Sequence, residues 1–424
     1  MWISILSFLV FLVLGMPIAF VLGLTGVVFI WLSGITFALV PQRMFVFMDS
    51  FVLIAIPCYI LVGALMTYGG LTERLVKFLL VLFGHIRGAL AIVNVLASMV
   101  FAGIQGSALA DTAAIGGILI PMMKKAGYTP DNSAAITAAS STIGPIIPPS
   151  ILFVVYGAMT KTSIGALFLG GAIPGILAGV SLIVFIAIIG KIQNWEKMPV
   201  RASLKEVLSG AKDAILALIA PLIIIGGIIS GFVTPTESAI IAVIYSFICG
   251  TFIFKKIKLK DLSKILLECG ILSGGIMLLV GMAGISSWVI IYLQIPRIIS
   301  EAILGISQNP ILILLMMNLI LLFAGTFLEQ IAAITIFMPI FLPIALQIGM
   351  DPIHFGVVLV FNLVIGLVTP PVGDCLYLAA MIAKIKFERV AVAIFPYICI
   401  LIFVLLLITF YPPLVTTLPR IFLQ

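Results

Sequence analysis

The chain has 424 residues, 63% of them hydrophobic and 9% charged, with a mean hydropathy of +1.38 and a formal net charge of +7. This composition excludes an ordinary soluble domain and predicts an all-α polytopic membrane protein. No Walker A or HExxH motif is present and the only histidines are His85 and His354, which argues against ATP hydrolysis by this chain and against a His-built metal site.

Apolar runs long enough to cross a bilayer occur roughly ten times along the chain, several of them interrupted by Gly and Pro. The first, ISILSFLVFLVLGMPIAFVLG, has no lysine or arginine before it, so it reads as a retained helix rather than a cleaved signal. Arg43, Arg74 and Lys77 lie near helix ends and read as interfacial anchors. Cys58, Cys249, Cys269, Cys375 and Cys399 are scattered singly in apolar surroundings without CxxC spacing, as packing residues would be. The positive charge is a topology signal carried by short loops, with no basic patch of the kind that binds nucleic acid.

Further along, an apolar run reaches the glycine-rich AGIQGSALAD, returns through Pro121 to Lys124-Lys125, turns at GYTPD and enters a helix interrupted by TIGPIIPPS, Thr142 to Ser150. After the run Ile164 to Gly190 comes a basic loop, Lys191 to Lys212, then two apolar runs joined at GFVTP, then a second basic loop, Lys255 to Lys264. A helix pair out and back separates the two loops, so both are expected on the cytoplasmic side. The longer loop is the candidate internal boundary.

The second half repeats the first. Phe101–Ser150 aligns without a gap on Phe323–Val372 at an offset of 222, which brings FAG onto FAG, Pro121 onto Pro343, Gly127 onto Gly349, Gly144 onto Gly366 and Pro148-Pro149 onto Pro370-Pro371. Glycines and prolines fix backbone geometry, so their coincidence in register points to two copies of one unit. The arms around each glycine break are short for two full spans, which predicts a re-entrant hairpin with its tip inside the membrane, facing a broken helix. Lys124-Lys125 of the first copy correspond to Leu346-Gln347 of the second, so the copies are expected in opposite orientation.

The predicted organisation is then a first inverted repeat over 1–190, with N-terminal scaffold helices, a hairpin at about 88–124 and a broken helix at about 131–160. A cytoplasmic connecting loop, 191–212, leads to a second repeat over 213–424, with scaffold helices, a hairpin at about 308–347, a broken helix at about 353–383 and a C-terminal helix. Inverted repeats with paired discontinuous helices are the architecture of secondary transporters, in which substrate and ions bind near the bilayer midplane.

Four stretches carry a specific resemblance: AGIQGSALADTAAIGGILIPMMKKAGYTP, STIGPIIPPSILFVVYG, GFVTPTESAIIAVIY and GMDPIHFGVVLVFNLVIGLVTPPVG. Over nearly its whole length the chain resembles the large membrane subunit of the tripartite ATP-independent periplasmic (TRAP) transporters. The resemblance implies an elevator-type, sodium-driven importer of organic acids in the bacterial inner membrane. It also implies two partners, a small four-helix membrane subunit, expected here as a separate polypeptide, and a periplasmic substrate-binding protein. No cofactor is implied beyond sodium as coupling ion, and no enzymatic activity.

Sodium is a hard cation that takes oxygen ligands, as calcium does. With two sodium sites implied by the resemblance, the first is expected between the hairpin residues Gly103, Gly106 and Ser107 and the break residues Ser141, Gly144 and Pro145. The second would join Gly325 and Thr326 to Gly366, Thr369 and Pro370. Glycine in such places also serves close helix packing. Asp111, Glu237, Glu329 and Asp374 interrupt apolar runs, and an intramembrane ionisable group is a functional candidate by default. Asp111 ranks first because it lies four residues after Ser107, on the same helix face; Ser107, Asp111 and Ser150 are the candidate substrate ligands. The TPTE motif, Thr234 to Glu237, sits at a turn and reads as structural.

An ion channel would ordinarily need a filter or a symmetric assembly, and no Ser/His, paired-Asp or metal constellation supports an intramembrane enzyme. A stand-alone sodium-coupled dicarboxylate carrier is the main alternative. Dicarboxylates, sialic acid, other sugar acids and keto acids all suit such a cavity.

Overall fold

The computed structural model describes residues 2–193, 195 and 203–423, and among them every regular element is helical. In chain order these are α1 (Trp2–Val13), α2 (Ile18–Leu32), α3 (Leu39–Met48), α4 (Ala55–Tyr68, preceded by a 3₁₀ turn Phe51–Ile54), α5 (Leu71–Phe83), α6 (Ala89–Gln105) and α7 (Ala108–Lys125). Next come α8 (Pro130–Ser141), α9 (Ile151–Thr160), α10 (Ile164–Ile192), α11 (Leu204–Ile229), α12 (Pro235–Ile248), α13 (Leu259–Tyr292) and α14 (Ile295–Ile306). The chain ends with α15 (Pro310–Gly325), α16 (Gln330–Gln347), α17 (Pro352–Gly366), α18 (Asp374–Ala383), α19 (Phe387–Ala393), α20 (Phe395–Phe410) and α21 (Pro413–Phe422).

Among the described residues, five helices are long and apolar enough to cross a membrane unaided: Phe51–Tyr68, Ile164–Ile192, Pro235–Ile253, Leu259–Tyr292 and Gln330–Gln347. Two bent pairs extend this set to seven, one of them α19 with α20 at an angle of 49°. The roughly ten apolar runs seen in the sequence are therefore not all single long helices, because Gly and Pro divide them. The 16 residues of α15 illustrate the shortfall: at 1.5 Å per residue they cover about 24 Å, against a hydrocarbon core of about 30 Å.

The end of the connecting segment is also helical. Ser203 and Glu206 cap each other, the Ser203 N–H donating to Glu206 Oε2 at 2.7 Å and the Glu206 N–H to Ser203 Oγ at 3.3 Å. This reciprocal cap starts α11 at Leu204, so the expected loop 191–212 is shortened from its far side. Within it, residues 194 and 196–202 lie outside the described residues.

The repeat is visible in the helix boundaries. Helices α7 and α16 are offset by 222 at both ends, and α8 and α17 at their starts. One correction applies at the prolines. Helix α9 begins at Ile151 after its cap Ser150 and α18 at Asp374 after its cap Gly373, an offset of 223. The ungapped register thus ends at Pro149 and Pro371, and Val372 is an inserted residue rather than the counterpart of Ser150. The reason is chemical. Ser150, with an extended backbone, caps α9 by accepting a hydrogen bond from the Phe153 N–H at 3.3 Å, which valine cannot do, whereas Gly373 opens α18 without a side-chain cap, through a left-handed backbone at φ +57°.

Helices of the two copies interlock: α18 packs on α7 and α8, and α9 on α16 and α17. Around them, α11 packs on α5, α12 on α4, and α13 on α2 and α3. Cross-chain contacts sort the connecting segments into two groups. In one, Lys124 Nζ donates to the Ala383 carbonyl at 2.7 Å, Arg389 pairs with Asp131 at 2.8 Å, and the Tyr128 and Trp195 rings lie 4.6 Å apart. In the other, the Tyr156 hydroxyl donates to the Pro352 carbonyl at 2.8 Å, and His354 Nε2 sits 2.7 Å from the Ile408 carbonyl oxygen.

Candidate substrate and ion site

In the first copy, α6 and α7 are joined by a two-residue turn. Gly106 takes the left-handed conformation at φ +63°, and Ser107 caps α7 by accepting from the Ala110 N–H at 3.5 Å. This turn is seated against the break between α8 and α9. A β-carbon at Gly106 would overlap the Pro149 carbonyl oxygen, and one at Gly144 would stand 3.3 Å from the Ser107 carbonyl oxygen. Gly103 faces the Pro148 carbonyl and Pro221 of α11. The expected first constellation is thus brought together as a backbone-to-backbone contact, with Pro221 as a neighbour the sequence did not suggest.

Within the break, the Ser150 hydroxyl donates to the Pro145 carbonyl oxygen, and the Ser141 hydroxyl to the Thr137 carbonyl at 2.8 Å. Ser150 is fully buried and Ser107 partly exposed.

The second copy is built differently in detail. A β-carbon on Gly366 would overlap the Gly325 carbonyl, so the end of α17 meets the end of α15 directly. Thr326 donates its hydroxyl proton to Phe323 O at 2.7 Å and Thr369 to Ile365 O at 2.8 Å. With those protons spent on backbone carbonyls, the hydroxyl oxygens keep lone pairs for a cation. Gly325, Thr326, Glu329, Gly366, Gly373 and Asp374 line a cavity of about 190 Å³. Two carboxylates, the Thr326 hydroxyl and backbone carbonyls make this an oxygen-rich donor set, which fits a hard cation. Thr369 and Pro370, by contrast, do not line that cavity.

Asp111 is 1% exposed. The Ser98 hydroxyl donates to its Oδ2 at 2.7 Å, and Ser98, Ser140, Asn94 and Thr137 continue as a buried hydrogen-bond chain across α6, α7 and α8, ending in the Asn94 amide donating to Thr137 Oγ1 at 2.6 Å. Asp111 Oδ1 has no partner. Asp111 therefore lies inside the helix packing, behind Ser107 rather than beside it at the turn. The second copy has its own chain, in which Asn362 donates to Asn318 Oδ1 at 2.9 Å and Asn318 to Thr409 Oγ1 at 3.1 Å. None of these neutral partners stood out in the sequence, although Asn94 and Ser98 share a face of α6 at a spacing of four.

The remaining acids divide by role. Glu329 caps α16, accepting from the Ile331 and Ala332 N–H groups at 2.9 and 3.1 Å. Glu237 forms a reciprocal cap with Thr234 at the start of α12 and is exposed, in line with the structural reading of TPTE. Asp374 opens α18.

The chain matches the family described as tripartite ATP-independent periplasmic transporter, DctM component, over residues 5–414. The sialic acid TRAP transporter large permease protein SiaM of Vibrio cholerae is 40% identical over 382 residues, 90% of this chain and 89% of that protein. The C4-dicarboxylate TRAP transporter large permease protein DctM of Pseudomonas aeruginosa is 40% identical over 378 residues, 89% of this chain and 88% of that one. In fold, the chain is similar to the Alcanivorax borkumensis YdaH transporter, with a TM-score of 0.64 at 14% identity over 88% of each chain. This multi-pass helical membrane protein belongs to the DctM component family of the TRAP transporters.

Proposed function

We propose that this subunit imports an organic acid across the bacterial inner membrane, coupled to sodium, working with a small four-helix membrane subunit and a periplasmic binding protein. The acids named for its relatives, sialic acid and C4-dicarboxylates, are the first candidates. The observation that carries the reading is the duplicated contact between a glycine turn and a broken helix, Gly106 on Pro149 and Gly366 on Gly325. Non-helical backbone at membrane depth is tolerated where it is buried in protein or lines a cavity, and in secondary transporters it forms the site for substrate and ion.

The grouping of segment ends supports opposite orientation of the two copies. The start of α8 and the end of α18 share one group, while the end of α9 and the start of α17 share the other. In the proposed mechanism, the interlocked helices α6 to α10 and α15 to α20 carry cargo past the remaining helices. Sodium held by the carbonyl and hydroxyl oxygens around Ser107, Ser141 and Gly144, and around Gly325, Thr326, Gly366 and Thr369, orders the two turns. Ordering completes the substrate site near Ser107, Asp111 and Ser150, so ion and substrate bind cooperatively.

Uptake into proteoliposomes containing the chain and its small subunit tests this, with binding protein and radiolabelled sialic acid or succinate outside. Uptake is expected only with both an inward sodium gradient and the binding protein. Uptake without the binding protein would identify a stand-alone carrier instead.

A further inference from the structure

Two cavities meet at the outer half of α9. One, of about 310 Å³, is lined by Phe47, Asp49 and Ser50 beside α3, by Met159 and Lys161, and by Val280 of α13. The other, of about 380 Å³, is lined by Ser50, Lys161, Thr162 and Ser163 on one side and by Thr234 and Thr236 on the other. Ser50, Ala158 and Lys161 belong to both, so the cavities are neighbouring parts of one vestibule between α9 and the surrounding helices. Lys161 is the cation common to both linings, and among the described residues its ammonium has no ion-pair or hydrogen-bond partner. Its backbone is left-handed at φ +58°, a conformation that glycine or asparagine ordinarily supplies at a helix end.

The turn holding Lys161 and the turn holding Thr234 are both on the outer side in the topology read from the charged loops, and the structure puts them on one cavity. We propose that this vestibule is an entry site for a carboxylate, with the Lys161 ammonium taking the anion and Ser50 offering a hydroxyl, before the acid reaches the glycine turns. The inference rests on the importer reading above and adds a waypoint outside the residues named there. Its physical basis is that an unpaired cation at the rim of adjoining clefts concentrates anions there; Lys161 is exposed, and because the Asp49 carboxylate lines the first cavity and not the second, the second is the seat for the anion. Lys384 provides an internal control. It closes α18 in the same left-handed conformation at φ +57° and lines neither cavity, so it shares any role in capping a helix end but not the vestibule.

The test is uptake of radiolabelled sialic acid or succinate, whichever the wild-type complex transports, measured against the concentration of loaded binding protein. Lys161→Gly suits the purpose because glycine accepts the backbone conformation without strain. The expected result is a maximal rate lowered about ten-fold at low ionic strength, with the half-saturating concentration of binding protein unchanged. Lys161→Arg is expected to retain the rate, Lys384→Gly to leave the rate of entry unchanged, and high salt to narrow the gap between wild type and Lys161→Gly. A raised half-saturation at unchanged maximal rate would make Lys161 a docking contact for the binding protein and overturn the proposal. So would an unchanged profile, or a loss that Lys161→Arg shares and salt does not alter, since either assigns Lys161 to the helix end alone. Absence of uptake by the wild-type complex would count against the importer reading, not against the vestibule specifically.

Discussion

Gly366 lies so close to Gly325 that a β-carbon on the first would overlap the carbonyl of the second. These residues are repeat counterparts of Gly144 and Gly103, yet in the first copy Gly144 faces Ser107 instead. Gly366→Ala is therefore expected to destabilise the protein by about 1–3 kcal/mol, as overpacking does, and to abolish sodium-dependent uptake. Gly117, in α7 with open space around it, is the control: Gly117→Ala should leave the thermal unfolding midpoint in detergent unchanged or raised. Equal behaviour of the two variants would remove the close contact as an explanation.

Gly106 combines a left-handed backbone with the Pro149 carbonyl oxygen standing where a β-carbon would go. Gly106→Ala pays both for the conformation, about 1–2 kcal/mol, and for the overlap. The expected outcome is a folded protein with a lower unfolding midpoint and a weaker apparent sodium affinity, read from the sodium dependence of uptake. A normal sodium dependence would separate this turn from the ion.

For Asp111, charge and hydrogen bonding can be parted. Asparagine can still accept from Ser98, so Asp111→Asn should hold stability to within about 1 kcal/mol, whereas Asp111→Ala strands the Ser98–Ser140–Asn94 chain at a cost of about 1–3 kcal/mol. Uptake by Asp111→Asn is expected to fall at least about ten-fold, a change that about 1.4 kcal/mol of lost binding produces. Wild-type uptake by this variant would leave Asp111 a purely structural group.

Glu329 has two separable jobs, capping α16 and placing a carboxylate on the cavity at the second turn. Glu329→Gln keeps an acceptor for the Ile331 and Ala332 N–H groups, and Glu329→Ala does not. Both should raise the sodium concentration for half-maximal uptake, while only the alanine variant should lose about 1 kcal/mol of stability. Titration of uptake with sodium, alongside thermal unfolding, distinguishes the two effects.

The Arg389–Asp131 pair joins the copies across a wet surface, with Arg389 57% and Asp131 25% exposed at the side chain. Exposed pairs contribute about 0–1 kcal/mol, so a double-mutant cycle with alanine at both positions should give a coupling below about 1 kcal/mol, smaller still in high salt.

The sequence by itself determined the membrane class, the duplication and the places where helices stop, because each rests on local chemistry: hydropathy over a span's length, and the backbone limits of Gly and Pro. Charge distribution along the loops was equally local, and so was the TPTE cap. Only the tertiary structure decided which partners these elements meet. The buried chain around Asp111 is assembled from Ser and Asn residues far apart in sequence, whose polarity is unremarkable until three helices enclose it. The single residue gained at Val372 was likewise hidden, since the flanking prolines align perfectly and only the position of the next helix cap reveals the shift. The vestibule at Lys161 depends on turns more than 70 residues apart closing on one space. Packing is non-local, so the same glycine motif faces Ser107 in one copy and its own hairpin's Gly325 in the other, and no pattern along the chain distinguishes them.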